Sequence, residues 1–215
     1  SNPSSKSNLA GINASAILEA SREKIVQYLS LEQKRVIFTS GATESNNLAL
    51  MGFARNHYKK TGNYGHIITL KTEHKAVLEP LDLLKKEGFE VTEIIPGKDG
   101  LISEEDFIKC IRKDTFLVSI MLANNEIGVI QPIEKIFKIC VKNNIKLHTD
   151  AAQCLGYVPM KNFDSLANMI TLSSHKIYGP KGIGLLIIDE DIQLNPLFYG
   201  GGQEFGYRSG TIPLP

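Results

Sequence analysis

The sequence predicts an α/β fold in which a mainly parallel seven-stranded sheet is flanked by helices on both faces. Short runs rich in β-branched residues alternate along the chain with segments of helical period, and no repeat, low-complexity tract or linker-like stretch interrupts them. Because parallel neighbours need crossover connections, this alternation favours a parallel sheet covered by helices. With 215 residues, the chain is long enough to bury a substantial core, and we expect residues 1–215 to form one domain.

The individual elements follow from composition and period. Short β-branched runs predict seven strands: Arg35–Ser40, His66–Leu70, Phe89–Ile95, Thr115–Met121, Lys146–Asp150, Met169–Ser173 and Gly184–Ile188. Segments of helical period predict five helices: Asn13–Leu29, Thr43–Lys59, Ala76–Lys86, Ser103–Arg112 and Ile133–Lys142. Ser103 begins a capping-box-like Ser-Glu-Glu-Asp run, and Gly88 is typical of a left-handed helix end.

Charge and composition exclude several classes of partner. The 24 basic and 23 acidic residues leave a net charge of +1, so there is no electrostatic reason to expect nucleic acid or an anionic membrane. The three cysteines, Cys110, Cys140 and Cys154, lack metal-ligand spacing, so we expect no metal site and small buried side chains in a reducing compartment. With no apolar run near the roughly 18 residues of a membrane span and no secretory signal, we expect a cytoplasmic protein.

The end of the first predicted strand is typical of an anion site. The run from Thr39 to Asn47 passes directly into a helix, and Gly41 allows the sharp turn between them. The amides of Ala42 and Thr43 would point out of the helix start, where free N–H groups and the helix dipole favour an anion. An ordinary capped helix explains the same short pattern, and the motif alone does not decide.

Two further strands also end in residues that suit a ligand, because parallel sheets bind ligands beyond the carboxyl ends of their strands. Asp150 ends the fifth strand, and Gln153 follows closely. Asp150 has two readings: the N-cap of the next helix, or a carboxylate that keeps a pyridine nitrogen protonated. Lys176 follows the sixth strand within Ser173–Gly182. It is either a solvated surface charge or a partly desolvated amine, with a lowered pKa, that forms a Schiff base.

The order of these three features favours one cofactor. A phosphate cup, an acid suited to a pyridine nitrogen and a lysine occur in that order, after the first, fifth and sixth strands of one predicted sheet. This combination predicts a site for pyridoxal phosphate (PLP).

The sequence resembles the class V aminotransferase group and, within it, the cysteine desulfurase (NifS-like) family. The matching runs are Asn2–Ser5, Phe38–Asn47, Thr72–Pro80, Ala123–Ile133, His148–Gln153, Ser173–Gly184, Gly200–Glu204 and Tyr207–Thr211. The resemblance implies the large domain of the PLP-dependent transferase fold type I, so residues 1–215 would be a single PLP-binding large domain.

The resemblance also implies a role for each matching residue. Ala42, Thr43, Ser173 and His175 would hold the phosphate of the cofactor. Asn125 and Gln153 would contact the side of the ring that carries the hydroxyl group, and Asp150 would pair with the ring nitrogen. Lys176 would carry the Schiff base and shuttle the α-proton of the substrate.

His74 and the Gly200–Gly202 run each have a second interpretation. His74 would stack on the ring and assist proton transfer, although it also suits a cap of the helix that begins near Ala76. The Gly200–Gly202 run, together with Arg208, would shape the rim of the site, although the glycines also suit a plain flexible loop. Thr211 would reach the phosphate bound by a second copy, which implies a homodimer.

Some family features are expected to lie outside these 215 residues. They are the segment before the NPSS motif and the C-terminal small domain, which carries the sulfur-accepting cysteine and a substrate-binding arginine. None of the three cysteines occupies a matching position, and Ser7 stands where many relatives carry a histidine. A desulfurase needs a thiolate and a cation for the substrate carboxylate, so we expect impaired activity from this chain alone.

Three functions remain open. The first is a cysteine desulfurase that cleaves the C–S bond of L-cysteine, giving alanine and enzyme-bound sulfur for iron–sulfur cluster or thio-cofactor assembly with a sulfur-acceptor scaffold protein. The second is a selenocysteine lyase or another PLP-dependent β-elimination enzyme. The third is a non-catalytic remnant that binds PLP or only dimerises.

Overall fold

The computed structural model describes residue 3, residues 8–158 and residues 163–212. Ser7 and, apart from Pro3, the NPSS motif lie outside the described residues. All seven predicted strands are present, with bounds that differ from the prediction by at most two residues. They are β1 (Lys34–Thr39), β2 (His66–Leu70), β3 (Glu90–Ile94), β4 (Thr115–Ser119), β5 (Lys146–Asp150), β6 (Met169–Ser173) and β7 (Gly184–Asp189).

The strands form one sheet in the order β1-β7-β6-β5-β4-β2-β3. Strand β7 runs antiparallel to its neighbours β1 and β6, whereas the pairs β5–β6, β4–β5, β2–β4 and β2–β3 are parallel. The prediction of a mainly parallel sheet is therefore confirmed. Because six strands run in one direction, the residues after β1, β2, β4, β5 and β6 meet at one edge of the sheet.

Apolar side chains cover both faces of the sheet. Val36, Ile68 and Leu147 belong to a core on one face that includes Ile133 and Phe107. The opposite face has its own core, which includes Ile37, Ile67, Leu117, Met169 and Leu186 of the sheet and Val77, Leu81 and Leu84 of a helix. Helices thus bury both faces, as the predicted α/β/α layering requires. Among the described residues, no helix is both long enough and apolar enough to cross a bilayer.

The helices are α1 (Leu9–Tyr28), α2 (Ala42–Asn47), α3 (Phe53–Thr61), α4 (Lys75–Glu87), α5 (Glu104–Cys110) and α6 (Ile133–Lys142). The expected cap at Ser103 is confirmed, since its hydroxyl accepts a hydrogen bond from the Asp106 amide. The left-handed end at Gly88 is confirmed by its φ of 115°. Helix α1 begins four residues earlier than predicted, because the Asn8 side chain caps it by accepting from the Gly11 amide.

The prediction of one α-helix over Thr43–Lys59 is wrong in one respect. A π-helical turn, Leu48–Gly52, separates α2 from α3. At this turn the Gly52 carbonyl accepts a hydrogen bond from the Asn195 amide at 2.9 Å. A Cβ atom on Gly52 would lie 2.8 Å from the Asn195 carbonyl oxygen, so the wider turn and the missing side chain together admit the 194–195 segment.

Two side chains bind the outer side of β1, which is an edge strand. Arg22 of α1 donates to the Val36 carbonyl, and the Glu204 carboxylate accepts from the Phe38 amide at 2.7 Å. Arg22 and Glu204 also form a bidentate ion pair at 2.9 and 2.8 Å. This pair attaches both α1 and the short helix Glu204–Gly206 to the strand that leads into the functional site.

Candidate active site

A cleft of about 510 Å³ lies at the carboxyl edge of the sheet. It lies where the segments after β1, β2, β4, β5 and β6 come together. Its lining residues are Ser40, Gly41, Ala42, Thr43, Glu44, His74, Ala76, Met121, Ala123, Asn125, Asp150, Ala152, Gln153, Ser173, His175, Lys176, Lys181 and Gly182. Nine of the ten predicted site residues are in this set, and Thr211 is the exception.

The turn between β1 and α2 forms the cup predicted for an anion. Gly41 has φ 150° and ψ 177°, a conformation open essentially to glycine alone. Gly184 of β7 makes the turn tight, because a Cβ atom there would lie 2.5 Å from the Gly41 backbone. The first-turn amides of Ala42 and Thr43 face the cleft without an acceptor earlier in the helix. These amides and the helix dipole suit a phosphate.

Glu44 fixes this turn from the other side. Its carboxylate accepts from the Ser40 amide at 2.9 Å and from the Arg208 Nε at 2.8 Å. Burial raises the pKa of the Glu44 carboxyl, but the hydrogen bonds from Arg208 and Ser40 more than offset burial, so the pKa lies below its usual value. Arg208 therefore acts at the rim through Glu44 and is not itself a lining residue.

Asp150 is buried at the end of β5 and makes two hydrogen bonds. Its Oδ1 accepts from the Ala152 amide at 3.0 Å, and its Oδ2 accepts from Asn46 Nδ2 at 2.7 Å. Asp150 therefore caps a turn after β5, where one interpretation expected a helix, and it also lines the cleft. Burial raises the pKa of its carboxyl, while the two hydrogen bonds and the electrostatic interactions with His74 and Lys176 oppose that rise.

Asn46 is a functional residue that sequence reasoning missed. It lies on α2, is fully buried, and holds Asp150 from the side of the phosphate cup. Its own Oδ1 is buried without a hydrogen-bond partner among the described residues. Asn46 lies within the TSGATESNN run that resembles the family, but the sequence did not single it out, because a polar residue in a helix is usually exposed.

Lys176 lies in a short 3-10 helix, Ser174–Ile177, that directly follows β6. Tyr178 ends this helix in the left-handed conformation, with φ 62°. The side chain of Lys176 is half-buried and enters the cleft. Ser173 Oγ and His175 Nδ1 lie 2.8 Å apart beside it, so the hydroxyl and the imidazole support each other at the predicted phosphate side.

His74 and Asn125 form two walls of the cleft. His74 caps α4, with Nδ1 accepting from the Ala76 amide at 3.0 Å. Because Nδ1 is used as an acceptor, the proton of the neutral imidazole is on Nε2, which leaves Nε2 to face a ligand. The cap interpretation of His74 is confirmed, and the residue also lines the cleft. Asn125 lies in the loop after β4, and Gln153 lies in the turn after β5.

Two groups of predicted rim residues lie away from the cleft lining. Thr211 is exposed, a position open to a second molecule. Gly202 donates its amide to Ser209 Oγ at 3.3 Å, so the Gly200–Gly202 run is attached to the segment that carries Arg208 and Thr211.

None of the three cysteines is suited to act as a thiolate. Burial raises the pKa of the Cys140 and Cys154 thiols to about 12. Burial also raises the pKa of Cys110, which is half-buried on α5. The expectation of small, buried, unpaired cysteines holds for Cys140 and Cys154.

The sequence of residues 1–212 matches the protein family described as aminotransferase class-V. The chain belongs to the class-V aminotransferase family. Its curated relatives include the cysteine desulfurase IscS of Ehrlichia chaffeensis, 49% identical over all of this chain and 52% of that protein. The mitochondrial cysteine desulfurase of Saccharomyces cerevisiae is 48% identical over all of this chain and 43% of that protein. The predicted resemblance to the cysteine desulfurases is therefore confirmed.

Solved structures of this family share the fold. DndA from Streptomyces lividans matches with a TM-score of 0.87 and 44% identity, over 97% of this chain and 60% of that one. SspA in complex with cysteine matches with a TM-score of 0.90 and 40% identity, over 99% of this chain and 61% of that one. The predicted fold type I large-domain architecture is confirmed. The chain spans about half the length of the curated relatives it matches.

The residues of the cleft fit the cofactor that class-V aminotransferases use, PLP. Amides and hydroxyls at the β1–α2 turn suit its phosphate, the buried Asp150 carboxylate suits its ring nitrogen, and the Lys176 amine suits its aldehyde. The orphaned Asn46 Oδ1 and the buried Asp150 are polar groups whose burial is costly unless the site has a partner for them.

Proposed function

We propose that this chain is the PLP-binding large domain of a cysteine desulfurase, the enzyme that takes sulfur from L-cysteine and leaves alanine. The observation that carries the proposal is the meeting of Lys176, Asp150 and the Ala42–Thr43 amides in one cleft. The identity to cysteine desulfurases over the whole of this chain supports the choice of substrate. PLP supplies, when bound, an aldehyde that condenses with an amine and a ring that absorbs electrons from the bond being broken.

Each predicted residue then has a physical task. Ala42, Thr43, Ser173 and His175 bind the phosphate and so fix the position of the ring. Asp150, held by Asn46 and Ala152, keeps a proton on the ring nitrogen, because a carboxylate at this place stabilises the pyridinium. Asn125 and Gln153 orient the ring from the side of its hydroxyl.

Lys176 and His74 handle protons in this proposal. Lys176 Nζ would hold the cofactor through its aldehyde, and the same amine would take and return the α-proton of the substrate. His74 would stack on the ring, and its Nε2 is the imidazole atom available to the substrate because Nδ1 accepts a hydrogen bond from the Ala76 amide.

The sulfur itself needs an acceptor outside the three cysteines of this chain. A thiolate is the nucleophile in sulfur transfer, and the thiols of Cys140 and Cys154 stay protonated near neutral pH. We propose that this chain by itself binds PLP but is impaired in releasing sulfur. We also propose a cytoplasmic homodimer in which Thr211 reaches the partner's phosphate site, and a scaffold protein that accepts the sulfur.

The test is cofactor binding to the purified chain. PLP should give a visible absorbance that disappears in Lys176→Ala and remains in Lys181→Ala, the matched control because Lys181 lines the same cleft. Absorbance that survives in Lys176→Ala, or none in the wild type, would refute the proposal. Products, assayed with a thiol reductant present to release the transferred atom, then identify the reaction: alanine and sulfide from cysteine support a desulfurase, whereas alanine and selenide from selenocysteine, or pyruvate and ammonia, support the second candidate.

A further inference from the structure

Glu73 is a buried carboxyl group that the proposed mechanism does not use. It follows β2, directly precedes His74, and is 6% exposed. Its Oε1 accepts a hydrogen bond from the Met121 amide at 2.7 Å. Met121 follows β4, the strand that lies between β2 and β5 in the sheet, so the Glu73 side chain reaches from one wall of the cleft to the next.

A second hydrogen bond joins the same two segments. Asn124 Nδ2 donates to the Thr72 carbonyl at 2.8 Å, while Asn124 Oδ1 accepts from the Glu126 amide at 2.8 Å. Asn124 thus shapes the turn that presents Asn125. The segment that carries His74 and the loop that carries Asn125 are therefore attached to each other beneath the cleft, once through Glu73 and once through Asn124.

The surroundings of Glu73 disfavour a negative charge. Its second oxygen, Oε2, is buried without a hydrogen-bond partner in the described part of the chain, and none of the salt bridges there includes Glu73. Burial raises the pKa of its carboxyl well above the usual value; the Met121 bond opposes that rise and Asp150 adds to it. Asp150 is the titratable group whose charge acts on Glu73, and His74 and Lys176 in turn act on Asp150.

We propose that Glu73 is a positioning residue that fixes the His74 wall to the Asn125 wall and that it does so as an uncharged carboxylic acid. Asp150 then keeps its negative charge without an ionised Glu73 beside it. Because the two carboxyl groups interact electrostatically, an ionised Glu73 would favour a proton on Asp150, and a protonated Asp150 would lose the charge that attracts a pyridinium. The inference deepens the proposed function and rests on it for the identity of the ligand.

The first test measures PLP affinity. Glu73→Gln keeps an oxygen acceptor for Met121 and carries no charge, so its dissociation constant for PLP should stay within about twofold of the wild type. Glu73→Ala removes that acceptor, and its affinity should fall about tenfold, the loss expected for one buried hydrogen bond. The control is Glu105→Ala, an exposed glutamate of α5, which should change nothing.

Two results of this test would overturn the proposal. If Glu73→Gln weakens PLP as much as Glu73→Ala, the charge matters and the residue is not neutral. If Glu73→Ala keeps full affinity while its Met121 amide stays protected from hydrogen exchange, the residue does not position the walls.

The second test needs no cofactor and decides the inference even if PLP does not bind or Glu73→Ala does not fold. The ¹³C carboxyl resonance of Glu73, assigned by its absence in Glu73→Gln, should show a protonated acid at neutral pH. An acid with a raised pKa holds its proton in the folded state while the unfolded chain has lost it, so stability falls as pH rises above 4.5. The melting temperature of Glu73→Gln should therefore rise relative to that of the wild type as the pH is raised from about 5 to about 8. A Glu73 resonance typical of an ionised carboxylate, or a melting-temperature difference that does not change with pH, would overturn the neutral state.

Discussion

Replacing Glu204 by glutamine should destabilise the fold far more than an ordinary ion-pair substitution. Glu204 accepts three hydrogen bonds, two from Arg22 at 2.9 and 2.8 Å and one from the Phe38 amide at 2.7 Å. The side chains of Arg22 and Glu204 are 10% and 2% exposed. The substitution leaves the Arg22 charge buried and turns an amide N–H toward groups that are themselves donors.

The magnitude follows from that burial. Removing one partner of a buried, hydrogen-bonded ion pair costs about 3–5 kcal/mol, because the remaining charge is uncompensated. For a chain of 215 residues, each kcal/mol lowers the melting temperature by about 2–4 °C, so we expect a loss of roughly 6–20 °C. Glu19 also contacts Arg22, but its side chain is 56% exposed and compensates little.

Thermal and urea unfolding of three variants would measure this loss. Glu87→Gln is the matched control, since the Arg55–Glu87 pair is 37% and 30% exposed and such pairs contribute about 1 kcal/mol or less. Arg22→Met combined with Glu204→Gln should recover part of the loss, because no buried charge remains. The reasoning is refuted if Glu204→Gln costs no more than Glu87→Gln, or if the double variant is no more stable than Glu204→Gln alone.

Two other substitutions test the sheet and the cup. Gly184→Ala places a methyl group 2.5 Å from the Gly41 backbone. The substitution should lower the free energy of unfolding by about 1–3 kcal/mol and weaken PLP binding. Unchanged PLP affinity in an absorbance titration would contradict the phosphate-binding role of the β1–α2 turn. His148 is buried between Ser119 and Thr171, and burial lowers the pKa of its imidazole to about 3. Below pH 6.5 the His148 imidazole is protonated in the unfolded chain but stays neutral in the folded chain. The free energy of unfolding of the wild type should therefore fall by about 1.4 kcal/mol per pH unit on acidification, relative to His148→Gln. Parallel stability curves for the two proteins between about pH 6 and pH 4 would contradict this reasoning.

The sequence predicted the strands well because most of them are short runs of largely buried residues, and the partly exposed β3 is still rich in β-branched residues. Strands β2 and β6, for example, are buried at every residue, and their bounds were predicted without error. The π-helical turn at Leu48–Gly52 was not predictable in the same way. It depends on a hydrogen bond to Asn195, a residue far along the chain, and no local pattern reports such a contact.

The site shows the same division between local and distant causes. Gly41, Asp150 and Lys176 were predicted because each directly follows a strand, and a parallel sheet brings such positions together. Asn46 and Glu73 were missed because their roles depend on partners distant in sequence, Asp150 and Met121. A buried polar residue looks like a surface residue until the group that binds it is known.

The two ends of the sheet are protected by different means against pairing with a strand of another molecule. An edge strand with free N–H and C=O groups is a template for aggregation. On β1, the Val36 carbonyl and the Phe38 amide are already occupied by Arg22 and Glu204. On β3, at the opposite end, Glu90 and Glu93 place charges along a strand of only five residues. Loss of the Arg22–Glu204 pair should therefore lower the solubility of this protein at high concentration as well as its stability.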